Sequence, residues 1–475
     1  MPAASPPHAC SPSIDVVPDL DLNLLRKYDR PAPRYTSYPT APVFSPLVPV
    51  DSLLESLRAE SADDSRPASL YFHLPFCESR CWFCGCTTVI TKRRFAADEY
   101  LDDLERELGL LRPWLNPAQP VTQLHFGGGS PTFLSPDQIH RIGRMIHARH
   151  RLAADAECSV EIDPRRLAPG QARAYFELGC RRASLGVQDT NPRVQLAIHR
   201  VQPFAQTRDA FQLLRDTGYT SISVDLIYGL PYQTAESFAR TLEEVLSLQP
   251  DRLAVFSYAH VPWIKPAQKI LERDRALPSA EEKLRLFVLA LRTLTAAGFV
   301  HIGMDHFARA DDELALALRS GTLQRNFQGY STRAGASIHA FGMSSISQTG
   351  RTYRQNLKEL PAYRAAIAAG RPPVERGLLL SDEDLRRRRV IMALMCERRL
   401  DFATLSAEFG FDFAAAYAAE LASLDDLVAD GLVRRTPAGV ELTPSGVLLV
   451  RIVAARFDAY LAREASPQTR FSRAL

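Results

Sequence analysis

The chain has 475 residues, enough for two or three domains, and 46% are hydrophobic, which supplies an ordinary buried core. A formal net charge of +3 does not advertise a nucleic acid or an anionic membrane as partner. No apolar run approaches the about 20 residues that cross a bilayer, and the start, with Pro2, Pro6, Pro7 and Cys10, lacks the basic-then-apolar pattern of a secretory signal, so a cytoplasmic address is expected.

The first fifty residues are Pro-rich and weakly periodic and read as an arm, although Arg34-Tyr35-Thr36-Ser37-Tyr38-Pro39-Thr40 is too aromatic for a plain linker. Short β-rich runs follow at 69–74, 121–126, 158–162, 182–187, 221–227, 252–256 and 299–303. Between them lie stretches of helical period at 97–111, 136–148, 204–217, 235–248 and 280–297. Strands separated by helices predict parallel βα units with right-handed crossovers, and six or seven of them predict a partial (β/α)6-type TIM-like barrel. In such barrels the chemistry sits where each strand ends. Here those ends carry Cys77, Gly127-Gly128-Gly129, Glu161, Gln188, Asp225, Ala259 and Asp305. After about residue 360 the pattern changes. A capped helix at 381–395, helices at 402–409 and 413–429, and a hairpin turning at Pro437-Ala438-Gly439 predict a mainly α-helical, winged-helix-like C-terminal domain. Residues 386–389, all arginine, read as a solvated basic face more than as a DNA reader. The expected units are 1–50 (arm), 51–370 (barrel) and 371–475 (C-terminal domain).

Of eight cysteines, Cys77, Cys81, Cys84 and Cys86 fall within ten residues, while Cys10, Cys158, Cys180 and Cys396 are scattered and read as small apolar residues. A tight cluster in a large chain reads as a metal site. The spacing Cys77-x3-Cys81-x2-Cys84 suits three irons of a cubane and leaves one iron open. That iron can be chelated by the amino and carboxylate groups of S-adenosylmethionine, whose sulfonium an electron from the cluster then cleaves. Structural zinc is the rival, but it usually takes two separated ligand pairs, whereas Cys84 and Cys86 crowd one short loop. Cys86 reads as a neighbour of the cluster. Gly127-Gly128-Gly129 lets backbone approach a ligand closely, and Glu161 could hold a ribose hydroxyl or an ammonium, or form a plain salt bridge.

Tyr71-Phe72-His73-Leu74-Pro75-Phe76-Cys77 and Cys81-Trp82-Phe83-Cys84-Gly85-Cys86 resemble the signature of the oxygen-independent coproporphyrinogen III oxidase (dehydrogenase) family. The resemblance runs on through His125-Phe126-Gly127-Gly128-Gly129-Ser130-Pro131-Thr132, Glu161-Ile162-Asp163-Pro164 and Gly186-Val187-Gln188-Asp189. It recurs at Asp225-Leu226-Ile227-Tyr228-Gly229-Leu230-Pro231, Gly303-Met304-Asp305-His306-Phe307-Ala308, Arg325-Asn326-Phe327-Gln328-Gly329-Tyr330 and Phe471-Ser472-Arg473. Ser130 stands where the family commonly has Thr, and Phe126 where it commonly has Trp.

The resemblance implies a [4Fe–4S] cluster on Cys77, Cys81 and Cys84 and two S-adenosylmethionine molecules. Tyr71, Gly128 and Glu161 would surround the first, and Phe83, Gly129, Ser130, Gln188, Arg200, Asp225, Ala259 and Ile346 the second. Tyr71 would also face the substrate as a catalytic residue. The implied reaction is oxidative decarboxylation of two propionates of coproporphyrinogen III to vinyls, giving protoporphyrinogen IX in haem biosynthesis. An electron donor such as flavodoxin or ferredoxin is implied, with a monomer and no nucleic acid or membrane as partner. The arm would be a substrate lid, with Arg34 taking a carboxylate and Tyr35 and Tyr38 covering a ring face, so that removal of residues 1–40 leaves a folded protein. A related radical haem methyltransferase and a non-catalytic haem chaperone are the alternatives. The chaperone group lacks the 34–40 arm and the Gly85-Cys86 pair, both present here.

Overall fold

A computed structural model of the chain describes residues 21–61, 66–463 and 471–474. Cys10 and the prolines near it lie outside the described residues. One sheet of twelve strands dominates: β1 (Ala68–Leu74), β2 (Pro120–Gly128), β3 (Arg151–Ile162), β4 (Arg182–Gln188), β5 (Ser221–Tyr228), β6 (Arg252–Ser257), β7 (Phe299–Gly303), β8 (His306–Arg309), β9 (Ser337–Phe341), β10 (Ile346–Gln348), β11 (Thr352–Asn356) and β12 (Val374–Leu379). Their order is β12-β11-β10-β9-β1-β2-β3-β4-β5-β6-β8-β7. β1 to β6 are parallel neighbours, and β9 lies parallel on the other side of β1. The sheet stays open, a partial barrel.

The helices between the parallel strands are Ala96–Leu111, Pro136–His147, Pro169–Glu177, Phe204–Thr217 and Ala235–Ser247, with Ala280–Ala296 leading into β7. Several starts are fixed by side chains. Ser135 with Gln138 and Ser279 with Glu282 form reciprocal caps, and Pro136 takes the first helical position, where it has no hydrogen bond to lose. In β4 buried and half-buried residues alternate, so Arg182, Ser184, Gly186 and Gln188 share one face and apolar residues fill the other. The register aligns Tyr71 with His125, His125 with Ser159, Glu161 with Ser184, and Gly186 with Asp225. A row of polar side chains thus lines one face of a sheet whose other face is packed.

The run at 299–303 is a strand that follows the helix Ala280–Ala296 and runs in the same direction as β6, but it does not pair with β6 directly. It pairs antiparallel with β8, which returns antiparallel to β6. Only Met304 and Asp305 separate β7 from β8, and a parallel crossover needs a dozen residues or more. β9 to β12 had no sequence signal, because β9 and β11 are buried on both faces and show no alternation.

Glu107 ties this second half of the sheet to the first. It accepts hydrogen bonds from the Gly342 N–H (2.7 Å), Asn356 Nδ2 (2.6 Å) and the Tyr363 hydroxyl (2.6 Å). Burial raises its carboxyl to about 7. Between its usual value and 7 the folded chain therefore holds more protons than the unfolded one. The contribution to stability is full at the acid end and is lost as pH rises through 7. Glu107→Gln is expected to remove that loss, giving a flatter Tm profile from about pH 5 to about pH 8.

The arm is integral to the core. Tyr35 and Tyr38 are 1% and 0% exposed. The Tyr35 hydroxyl donates to Asp458 (3.1 Å), and the Tyr38 hydroxyl accepts from the Ala459 N–H (3.2 Å). These rings cannot cover a ligand, and deletion of residues 1–40 would strip Leu25, Tyr28, Tyr35 and Tyr38 from the core. Arg34, unlike Tyr35 and Tyr38, keeps an exposed part; it pairs with Asp305 and lies 5.8 Å from the Phe256 ring centre. Arg451, buried, donates to the Pro33 carbonyl (3.0 Å) and to that of Arg473 (2.8 Å), and Pro31 bridges Arg473.

The C-terminal lobe opens with the Ser381-capped helix Asp382–Cys396 and contains Phe402–Phe409 and a three-stranded sheet of Arg399–Asp401, Gly439–Leu442 and Val433–Thr436. The predicted helix at 413–429 is broken into Phe413–Ala416, Ala418–Ala422 and Asp425–Ala429. The first break is at Tyr417, whose ring stacks on Phe413 and whose hydroxyl reaches Glu383 (3.4 Å). The arginine run is engaged internally: Arg386 and Arg387 with Glu383, Arg387 also with Glu420, Arg388 with the Gly350 carbonyl, Arg389 with Glu397 and Glu408.

Candidate active site

The loop after β1 carries Cys77, Cys81, Cys84 and Cys86, all free thiols. Its base is a short parallel pair, Phe76–Cys77 with Val89–Ile90. Contacts from several elements hold its shape. Trp82 N–H donates to the Ile198 carbonyl (3.0 Å), and the Trp82 ring stacks on His199. Gln268 Nε2 donates to the Phe83 carbonyl (3.0 Å) and to that of Ala259 (3.3 Å), and Lys265 Nζ to that of Cys86 (3.1 Å). Cys81 Sγ lies 3.7 Å from Arg200 Nη1 and 3.8 Å from Arg165 Nη2. The Cys86 N–H points at Cys84 Sγ (3.4 Å), and the hydrogen bond from the Cys86 thiol is the largest influence drawing Cys84 down to about 6.

The donor set fits an iron–sulfur cluster. Among the described residues no three His, Cys, Asp or Glu side chains close on a single-ion position. A cubane does not ask for that, since each thiolate takes a different iron. Two guanidiniums beside Cys81 supply positive charge against the anionic sulfurs that such a cluster carries.

Behind the loop, His73 Nε2 faces the Thr87 carbonyl (3.0 Å), which can only accept. The neutral ring, its pKa lowered by burial, therefore takes the Tyr71 hydroxyl proton at Nδ1 (3.1 Å). That bond leaves the Tyr71 oxygen lone pairs free for a donor in the cleft. The Tyr71 ring stacks on His125 (5.8 Å), and His125 Nε2 donates to Glu161 (3.4 Å). Glu161 also accepts the Gly128 N–H (3.0 Å). Burial works to raise its carboxyl, but these bonds outweigh it and hold it below the usual value. The glycines are required sterically. A Cβ on Gly127 would fall 2.8 Å from the Glu161 carboxylate, one on Gly128 2.6 Å from the His73 ring, and one on Gly129 2.5 Å from the Pro75 carbonyl.

Further round the sheet, Arg200 Nη2 donates to the Gly186 carbonyl (2.6 Å) and to Asp163 (3.3 Å), while its buried Nε has no partner among the described residues. Burial is overcome at Asp163 by Arg200 and Arg165, which keep its carboxyl low. Gln188 ends β4 with φ +71°, a left-handed conformation uncommon for a non-glycine residue, and a Cβ on Gly186 would lie 2.9 Å from its amide. Asp225, pushed up to about 7 by burial, accepts from Ser184 (2.9 Å). The Ser130 hydroxyl is buried against that of Thr132 (2.8 Å).

Most expected residues thus fall into connected groups. Tyr71, Gly128 and Glu161 are linked through His73 and His125; Gln188 and Arg200 meet at Gly186; Phe83 and Ala259 share Gln268. Ile346 packs instead with Phe44, Tyr353 and Leu380. Sequence reasoning passed over His73, His125, Asp163, Arg165 and Gln268. The first three lay inside quoted motifs, and polar residues at inward-facing strand positions were the available signal.

A family model for the radical SAM superfamily matches residues 71–245, and one for the HemN C-terminal domain matches residues 380–449. The chain is 43% identical over 457 residues to the oxygen-independent coproporphyrinogen III oxidase of Escherichia coli K12, covering 96% of this chain and 99% of that one. It is 43% identical over 461 residues to the Synechocystis protein of that name, covering 96% and 98%. A solved structure described as coproporphyrinogen III oxidase (HemN) from Escherichia coli, a radical SAM enzyme, superposes with a TM-score of 0.88 at 42% identity, covering 93% of this chain and 99% of that one. Cluster loop, glycine turn, polar strand face and C-terminal lobe therefore belong together, and the chain is a member of the oxygen-independent coproporphyrinogen III oxidase family of the radical SAM superfamily.

Proposed function

We propose that the chain oxidatively decarboxylates two propionates of coproporphyrinogen III to vinyl groups, yielding protoporphyrinogen IX in haem biosynthesis. The observation that carries the reading is the likeness to the Escherichia coli enzyme along nearly the whole of both chains, the arm and C-terminal lobe included. Cys77, Cys81 and Cys84 would hold the cluster. Tyr71, Gly128 and Glu161 would bind one S-adenosylmethionine, and Phe83, Gly129, Ser130, Gln188, Arg200, Asp225, Ala259 and Ile346 the other. Loaded with these groups, the site supplies a hydrogen-abstracting carbon radical and takes up no oxygen.

The protein's part is to orient and to exclude water. Tyr71, its hydroxyl donating a hydrogen bond to His73, offers lone pairs to an ammonium or hydroxyl. Glu161, held anionic, attracts the same groups, and Asp225 is set to receive a hydroxyl or amine. Arg34, half-exposed beside Asp305 and Phe256 on an arm fixed in the core, would meet a substrate carboxylate. A flavodoxin or ferredoxin would bring the electron, and the chain would act as a cytoplasmic monomer; since β12 (Val374–Leu379) still pairs in the main sheet, barrel and lobe would divide after it and not at residue 370.

The deciding experiment is anaerobic incubation of reconstituted protein with coproporphyrinogen III, S-adenosylmethionine and a reductant. Expected are 5′-deoxyadenosine, carbon dioxide and protoporphyrinogen IX. In a parallel incubation with haem in place of coproporphyrinogen III, methylated or cleaved haem would favour a haem methyltransferase, and haem binding with turnover of neither compound would favour a chaperone.

A further inference from the structure

The cluster loop is ringed on its outer side by cations that the proposed reaction does not use. Arg80, exposed, directly precedes Cys81. Lys92 and Arg93, also exposed, follow the strand pair that holds Cys77, at the point where the Thr91 N–H donates to the Cys77 carbonyl (2.9 Å). Arg193 lies on the short helix Pro192–Ala197, and the residues that follow that helix receive Trp82. The acidic group nearest in the loop, Glu78, is already shared by Arg94 and Arg166. Asp98 and Glu99 come a turn later on the next helix, and Glu99 is paired with Arg364. Leu196 and Val201, which flank the Ile198–His199 pair that meets Arg80 and Trp82, are 68% and 55% exposed. A net charge of +3 spread over the chain would not produce such a local excess. An apolar centre rimmed by cations is what a transient protein contact with an acidic surface requires.

Resting on the reading of this loop as a cluster loop, we infer that the face around Arg80, Lys92, Arg93, Arg193, Leu196 and Val201 docks an acidic protein that carries one electron at a time. In the contact one electron leaves the partner's cofactor, oxidising it by one unit, and enters the cluster, reducing it by one. No proton or bond changes hands.

The test compares the triple variant Arg80→Glu, Lys92→Glu, Arg93→Glu with a control of equal charge change elsewhere, Arg240→Glu, Arg285→Glu, Arg309→Glu. Flavodoxin serves as the probe. Its association with each chain is followed by interferometry against ionic strength, and cluster reduction by flavodoxin hydroquinone is followed by stopped flow. The triple variant should associate at least ten times more slowly at low salt, with a much flatter salt dependence, and be reduced correspondingly slowly. The control should stay within twofold of wild type. Photoreduced deazaflavin, too small to need a docking face, should reduce all three chains alike. Equal association of the triple variant and wild type, or an equal loss in the control, would overturn the docking face. A wild-type chain that assembles no reducible cluster would count against the cluster reading instead.

Discussion

Cys81→Ala protein, reconstituted anaerobically with iron and sulfide, is expected to show no cluster absorption and no product, whereas Cys86→Ala should keep about four irons per chain. The two thiols lie five residues apart in one loop but in different surroundings. Cys81 faces the guanidiniums of Arg165 and Arg200, and its loss removes one of the three ligands of the proposed cluster. Cys86 is turned on Cys84, to which it gives a backbone N–H and a thiol hydrogen bond. Its loss should make Cys84 a weaker thiolate without removing a ligand, so activity falls while iron content holds. Iron and sulfide analysis with the visible spectrum decides the matter. An empty Cys86→Ala protein, or stoichiometric zinc in active enzyme, would overturn the three-ligand assignment.

Asp225→Ala should leave that spectrum untouched and still cost most of the turnover. Asp225 faces the same polar row as Glu161 but among the described residues accepts a hydrogen bond only from Ser184, and burial keeps its carboxyl up near 7. A ligand that donates to it would complete its bonding. Loss of one hydrogen bond to a charged group is worth roughly 1.5–3 kcal/mol, or about ten- to a hundredfold in rate. Binding of the first S-adenosylmethionine, read from the perturbed cluster spectrum, should be unchanged, because Glu161 and Tyr71 are intact. Gln188→Ala should behave alike. Normal turnover by Asp225→Ala would show that no second molecule is held there.

How far the sequence could be read depended on whether a residue's environment repeats. The helices at 204–217 and 235–248 carry a 3.6-residue stripe, and β4 and β5 alternate, so both kinds of element were legible to within a residue or two. Ser337–Phe341 is buried throughout and has no period to detect. The strand-end residues Glu161, Gln188 and Asp225 could be located because a parallel barrel delivers its loops to one rim. The partners that set their charge could not. Asp163 is held by Arg165 two residues on and by Arg200 thirty-seven residues away, and nothing local announces the second contact. The arm misled for a related reason. Its aromatic rings signalled burial, but what buries Tyr35 and Tyr38 is Asp458 and Ala459, at the far end of the chain.

That last pairing fixes an order of assembly. Arg451 reaches back 418 residues to Pro33, and Arg473 reaches 444 residues to Asp29. A nascent chain delivers its N-terminal residues first, so residues 29–38 must wait, without these partners, until residues 451–473 have been made. The strands that form the polar row and the loop with the four thiols are all synthesised in that interval. Residues 29–38 are made long before residues 451–473, and the seam between the two segments cannot close until the latter have emerged.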